Sequence, residues 1–340
     1  MKKVLSFGEL LLRICPDAGG DWLRENSLPF YVGGAEANVA TALALWDMPS
    51  AYFTALPDNL LSHELTAYLQ EKGVDTSSVL YQGERLGLYF LPKGKDVKNA
   101  GVIYDRAHSS FSALLTGTID WDAVLDGVGW LHFSAISPAL NATVAAVCQE
   151  LLLAASLKKG ITISVDLNYR PKLWQYGAVP TDVMPGLVQY CDLVMGNLWA
   201  AEKMLGIPVD TELTGRDRKE DYLEHARRTS EQIIERFPRV KQVAKTFRFD
   251  RGATGIHYYT SFYTEKKIFA SREYFSDKIL DKVGSGDCFM AGLIYGLSQS
   301  QPIGEMLEFA TAAAFSKLFI PSDATDQRVG DIKKFMETHE

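Results

Sequence analysis

The chain has 340 residues, 47% hydrophobic and 23% charged, enough apolar surface for a sizeable core and unlike a disordered tail, a collagen-like repeat or a disulfide-stapled miniprotein. Thirty-five basic side chains stand against forty-two acidic ones, a net charge of −7, which gives no global attraction to nucleic acid or an anionic membrane surface. The four cysteines, Cys15, Cys148, Cys191 and Cys288, lack any short C-x-x-C spacing, so neither a zinc knuckle nor a disulfide framework is indicated, and reduced thiols in a cytoplasmic protein are expected.

The N-terminal stretch MKKVLSFGELLLRICPD starts with two lysines, but Glu9 and Arg13 interrupt the apolar run that an export signal requires. Val4 to Phe7 reads instead as a first strand that stops at Gly8-Glu9. Residues 10–32 alternate and are followed by Gly33-Gly34-Ala35-Glu36-Ala37-Asn38, which opens a helix. Tyr52 to Leu56 is a second apolar run, ending at Pro57-Asp58. Residues 83–106, with RLGLYFLPKG and AGVIYDRA, alternate again, so lid strands of a small separate sheet are expected within 10–32 and 83–112. Gly127 to Gln149 contains no Asp, Glu, Lys or Arg and is long enough to span a bilayer, but Pro138 and Asn141 in mid-stretch make it strand, turn and helix. Further short runs end at Ser134, Asp166, Gly196-Asn197 and Thr246. Between the last two, Thr211 to Arg239 is densely charged with Tyr222, Ala226, Ile233 and Phe237 at helical spacing, which predicts a surface helix.

Short apolar runs separated by helices require a parallel sheet covered on both faces, so the fold class is α/β, and the length suits one large domain or one with an appendage. In such sheets ligands bind beyond the carboxyl ends of the strands, which makes Glu9, Asp58, Ser134, Asp166, Asn197 and Thr246 the first candidates for a site.

The sharpest motif is Asp281-Lys282-Val283-Gly284-Ser285-Gly286-Asp287, running into the apolar helix Cys288 to Leu297. Small residues at a helix head let backbone N–H groups approach an anion, and the helix dipole favours negative charge there. Asp287, in the first turn, can accept a proton from a substrate hydroxyl while the amides of Gly284, Ser285 and Gly286 hold a transferring phosphoryl group. In the second motif, Gly33 and Gly34 permit close approach of a polar ligand, and Asn38, one turn into its helix, offers a donor and an acceptor to sugar hydroxyls. Read locally, each motif also fits a plain glycine turn at a helix start.

Gly-Gly-x-x-x-Asn near the start, followed about 250 residues later by Asp-x-x-Gly-x-Gly-Asp before an apolar helix, resembles the ribokinase-like sugar kinases of phosphofructokinase B type. The resemblance covers nearly the whole chain. It implies a three-layer α/β/α sandwich with a β lid, and transfer of the ATP γ-phosphate to a sugar hydroxyl with Asp287 as base. It further implies Gly284 to Asp287 as the anion hole and Gly33, Gly34 and Asn38 as part of the sugar pocket. Two lid stretches, Arg85-Leu86-Gly87-Leu88-Tyr89-Phe90 and Tyr104-Asp105-Arg106-Ala107, resemble those of 2-keto-3-deoxygluconate kinases. Asp166-Leu167-Asn168-Tyr169-Arg170-Pro171 is similar to the loop such enzymes place between sugar and nucleotide. An acidic sugar needs a cation, and the guanidinium forks of Arg106 and Arg170 suit a carboxylate, while Tyr89 and Tyr104 offer hydroxyls on apolar rings. The nucleotide side falls to Asn168, Arg170, Asn197, Thr246, Arg248, Gly284 and Gly286.

The chain departs from the family pattern at several places. Asn197-Leu198-Trp199-Ala200 stands where Asn-x-x-Glu is usual, with Glu202 out of register; Thr246-Phe247-Arg248 replaces Thr-x-Gly; Lys282 replaces a threonine; and Ser322-Asp323 replaces a Gly-Asp. ATP and magnesium are the cofactors implied, the metal ligands are left unassigned and a monovalent cation is left open. The leading expectation is a kinase for 2-keto-3-deoxygluconate or a related sugar acid. A fructokinase-like neutral-sugar kinase and a non-catalytic sugar- or nucleotide-binding relative are the other readings. The exposed face and free edges of a small β lid predict a homodimer. The six histidines show no metal-ligand spacing, and Cys288 reads as a packing residue.

Overall fold

The computed structural model describes residues 2–16, 26–92, 101–215, 218–252 and 254–339. Its central sheet begins with the short apolar runs. β1 (Lys3–Phe7), β4 (Ser50–Phe53), β9 (Val128–Ser134), β10 (Thr162–Asp166), β11 (Leu193–Met195) and β12 (Gln242–Arg251) lie parallel in the order β4-β1-β9-β10-β11-β12. The expectation of a parallel sheet fails beyond β12. That strand runs ten residues, turns back through Gly252 at a φ of 62°, and pairs antiparallel with β13 (Gly255–Thr264), which carries β14 (Lys267–Ala270) and β15 (Tyr274–Ser276). A glycine in the left-handed region allows this reversal where a crossover helix would otherwise be needed.

Side chains alternate across the sheet. Leu5, Phe7, Leu131, Phe133, Ile163 and Val165 meet one helical layer, formed by α3 (Trp121–Val124), α4 (Ala142–Leu157), α5 (Pro180–Val188), α6 (Leu198–Leu205) and α7 (Lys219–Arg236). Val4, Trp130, Leu193 and Met195 meet the other, formed by α1 (Ala35–Leu45), α8 (Ser285–Ser298), α9 (Ile303–Lys317) and α10 (Val329–Thr338). The resulting three layers are those of the expected sandwich. The uncharged stretch before Gln149 is β9, a turn and α4, capped by Asn141 whose side chain accepts from Val144 N at 2.8 Å. Of the charged segment expected as one helix over 211–239, Thr211–Gly215 is a short 3-10 helix and Lys219–Arg236 forms α7, with Tyr222, Ala226 and Ile233 buried, Phe237 just past its end and an Arg227–Glu224–Glu231 cluster outside. Among the described residues, no helix is long and apolar enough to cross a membrane. All four cysteines are buried thiols.

The lid is a second sheet, ordered β3 (Phe30–Gly33), β2 (Leu11–Ile14), β7 (Gly87–Phe90), β8 (Ile103–Asp105). Positions 17–25 and 93–100 of the expected lid stretches lie outside the described residues. Register sorts its side chains into rows. Tyr31, Arg13, Tyr89 and Tyr104 form one row, and Phe30, Ile14, Phe90 and Ile103 the next, on the opposite face. Near its root the lid packs on α1 and on α2 (Leu60–Glu71) through Leu12, Ala37, Ala40, Leu65 and Leu69. A two-strand patch of β5 (Ala55–Leu56) and β6 (Leu80–Tyr81) completes the strands.

Candidate active site

Strand ends, lid and the heads of two helices enclose a cleft of about 690 Å³, within the size range of small-molecule sites. At its floor the two motifs meet: Asn38 Nδ2, on α1, donates to Asp287 Oδ2 at 2.7 Å across 249 positions of sequence. Each helix starts there because glycine permits it. Gly34 caps α1 at a φ of 135°, where a Cβ would stand 2.6 Å from the Glu9 carbonyl oxygen. Gly284 caps α8 at a φ of 79°, and the backbone oxygen of Asp323 occupies the space its Cβ would need. The first-turn N–H groups of a helix have no intrahelical partner, so Gly284, Ser285, Gly286 and Asp287, which line the cleft, turn bare donors toward it. The Ser285 hydroxyl is turned away and donates to Ala314 O at 2.9 Å, leaving its backbone as what it offers.

Asp287 is buried, and burial, with the nearby charges of Asp166 and Glu36, pushes its carboxyl up to about 8 against the opposing effects of Asn38 and Arg170. Glu36 is likewise pushed up to about 7 by burial, although it accepts from Ser134 N at 2.9 Å and Ser134 Oγ at 2.6 Å. Among the strand-end candidates, Glu9, Asp166, Asn197 and Thr246 line the cleft. Asp58 is exposed and bonded to His63, and Ser134 instead holds Glu36 from behind.

On the side expected to meet the sugar, Tyr89, Tyr104, Arg106 and Arg170 all reach the cleft. Both guanidiniums act on the Tyr104 hydroxyl, opposing the upward pull of burial. Arg106 donates from Nε to Glu9 Oε2, and Asp105, its sequence neighbour, pairs with Arg85 at 2.7 Å instead. Glu9 thus lines the cleft beside Arg106 and holds it. Tyr89 belongs to the small lid core with Leu11, Leu91 and Val102, and its hydroxyl donates to Asp323 Oδ2 at 2.7 Å. Gly33 sits beneath the cleft wall, closed in by Leu11 and by the Asp323 carboxylate, 2.7 Å from where its Cβ would be.

On the other side, Asn168, Asn197, Thr246 and Arg248 line the cleft together with Trp199, Phe247 and Phe249. The Asn197 side chain caps α6, accepting from Ala200 N at 2.7 Å. Where a glycine loop is usual, β12 simply continues as a strand, and Phe247 stacks on Tyr259 of β13 with ring centroids 4.7 Å apart. Lys282 bonds Asp250 Oδ1 at 2.6 Å, tying the loop before α8 to this hairpin. Glu202 pairs with Lys203 on α6. The part-exposed Trp199 in the first turn of α6 left no mark on the periodicity, because one aromatic after a strand end reads equally as packing.

Beneath the Gly284 to Gly286 turn lies a buried charge cluster. Arg13 of β2 bonds Asp281 Oδ2 at 2.5 Å and lies 2.9 Å from Asp323 Oδ1, all three side chains shut off from solvent. It ties the lid to the loop that precedes α8.

The chain matches the model of the pfkB family of carbohydrate kinases over residues 1–318. It belongs to that family. A 2-dehydro-3-deoxygalactonokinase of Haloferax volcanii is 28% identical over 321 residues, 94% of this chain and 92% of that one. The crystal structure of a 2-dehydro-3-deoxygluconokinase from Thermotoga maritima superposes with a TM-score of 0.89 at 33% identity, covering 99% of this chain and 100% of its own. A putative ribokinase II from E. coli, solved with ATP and Mg2+, shares the fold at a TM-score of 0.77, 19% identity and full coverage of both chains. This carbohydrate kinase thus has the ribokinase-like architecture expected from its motifs.

Proposed function

We propose that this kinase transfers the γ-phosphate of ATP to the terminal hydroxyl of 2-keto-3-deoxygluconate or a closely related sugar acid, as one domain spanning 1–340. The observation that carries the reading is the Asn38–Asp287 contact at the head of α8, faced across the cleft by Arg106, Arg170 and Tyr104. Asp287 takes the hydroxyl proton as the oxygen bonds to the γ-phosphorus; the bond from that phosphorus to the β-γ bridging oxygen breaks, and ADP leaves. The amides of Gly284, Ser285 and Gly286 take up the charge on the moving phosphoryl group. Arg106, held by Glu9, and Arg170 orient the acid's carboxylate, with Gly34, Asn38, Tyr89 and Tyr104 around the sugar and Gly33 behind. Asn168, Asn197, Thr246 and Arg248 meet the nucleotide. Lid closure keeps water from the phosphoryl group.

Magnesium with ATP neutralises charge on the phosphates during transfer. Such ions keep several waters and use one or two carboxylates plus the phosphates, so the Asp166 carboxylate in the cleft wall is a fitting donor although Ala200 stands where a glutamate is usual. The lid supports a homodimer, since its outward row leaves Phe30 57% and Ile103 51% exposed.

A panel of sugar acids and neutral sugars with coupled ADP detection tests the assignment. Asp287→Asn is expected to lower kcat by about 100-fold or more on the accepted substrate. Arg106→Ala is expected to raise KM for acids far more than for fructose. Equal losses on both sugars would favour a neutral-sugar kinase, a reading supported by the bond through which Glu9 already occupies one edge of Arg106.

A further inference from the structure

Lys317, the last residue of α9, is buried with its ammonium beneath the anion hole, and the transfer chemistry above gives it no role. Its Cε passes 3.3 Å from the place a Cβ would take on Gly284, and its Nζ donates to Ile320 O at 3.1 Å. The same loop holds the anion-hole segment from behind: Leu280 N and Asp281 N both donate to Leu318 O, and Asp323 O presses on Gly284. Two buried carboxylates, Asp281 and Asp323, share this spot. Unbalanced negative charge directly behind an anion-binding turn would repel ATP and cancel the attraction of the helix head. Arg13 offsets one carboxylate, and a second positive charge is needed for the other.

We propose that Lys317 is a built-in monovalent cation: a positioning residue whose ammonium balances Asp281 and Asp323 and holds the Gly284 to Gly286 turn in its anion-binding shape. The enzyme therefore needs no potassium or similar ion from solution, because the chain's own side chain fills that place. Burial, with Arg13 adding to it, pushes the ammonium below the ordinary lysine range, and Asp281, Asp323 and the Cys288 thiol work against that fall in favour of the charged form. The inference rests on the chain being an ATP-using kinase and is independent of which sugar it takes.

Two measurements test it. Wild-type turnover, on whichever sugar the panel identifies, is expected to differ by less than about twofold among potassium, sodium, ammonium and tetramethylammonium buffers. Lys317→Met keeps the stem and removes the charge; it is expected to lose about tenfold or more in kcat in tetramethylammonium buffer and to recover in potassium or ammonium. If no sugar turns over, binding of the magnesium complex of a non-hydrolysable ATP analogue, followed calorimetrically, takes the place of kcat with the same expected loss and recovery. A wild type stimulated about tenfold by potassium would overturn the proposal, as would a folded Lys317→Met protein that is fully active without a small cation or that no cation restores. Should that variant not fold, the wild-type ion panel decides.

Discussion

With its carboxyl pushed up to about 8, Asp287 is mostly protonated in the free enzyme at pH 7, and the base form grows as pH rises. The kcat/KM of the wild type should therefore climb through pH 7 to 9 and level off above, and the residual rate of Asp287→Asn should show no such rise. Stability carries the opposite sign. The unfolded chain releases this proton near the ordinary carboxylate value of 3.8 while the folded one keeps it to about 8, so the residue's contribution is complete below about pH 4 and is lost as pH rises through 8. Asp287→Asn removes that loss, and thermal melts should show the variant gaining over wild type at pH 9 relative to pH 5. A gain that shrinks toward pH 9 would contradict the burial of an ionisable base. The motif around Asp287 was readable because glycine and a helix-start acid cluster in a short stretch. Arg13 was not, since a lone cation in an apolar strand only looks like an interrupted export signal; what gives it meaning is Asp281, 268 positions away.

Helix α8 carries the Gly284 to Asp287 turn at its head, and its close packing on α9 fixes where that turn sits. A Cβ on Gly292 would stand 2.5 Å from the Ala310 Cα, backbone that cannot move without shifting α9. Gly292→Ala should cost about 1–3 kcal/mol through overpacking, more than the ~1 kcal/mol an alanine gains in helix propensity. Gly296 is closed in as tightly, the place of its Cβ lying 2.3 Å from Met306 Cγ and 2.7 Å from Met306 Cβ at the root of that side chain, so Gly296→Ala should also cost about 1–3 kcal/mol by denaturant melts. Neutral substitutions at both positions would mean that the helix pair slides freely. At this scale the apolar runs marked the parallel strands because each is short, fully buried and closed by a polar residue. The antiparallel wing escaped because β12 alternates beyond Lys245 in a manner that fits a loop or a strand, and only its partner β13 decides between them.

The molecule has one cleft face and one apolar face on the same lid. Tyr89 and Tyr104 look inward, while Phe30, Ile14, Phe90 and Ile103 form a row across the other side. Covering the exposed Phe30 and Ile103 with a second copy would remove two large apolar side chains from water, and the expected species in light scattering is a dimer. Phe30→Asp with Ile103→Lys should shift it to monomer without unfolding the chain, since neither side chain belongs to a buried core. A wild type that is monomeric at every concentration would remove the dimer from the account. The alternation of residues 87–90 already placed Tyr89 and Phe90 on opposite faces; which face met the cleft required the fold.

The bond from Asn38 to Asp287 also bears on biosynthesis. During synthesis Asp287 follows Asn38 by 249 positions, and Asp323, which packs on Gly284, follows later still. A product halted between those two points carries both helix heads but lacks the Asp323 carbonyl that packs on Gly284.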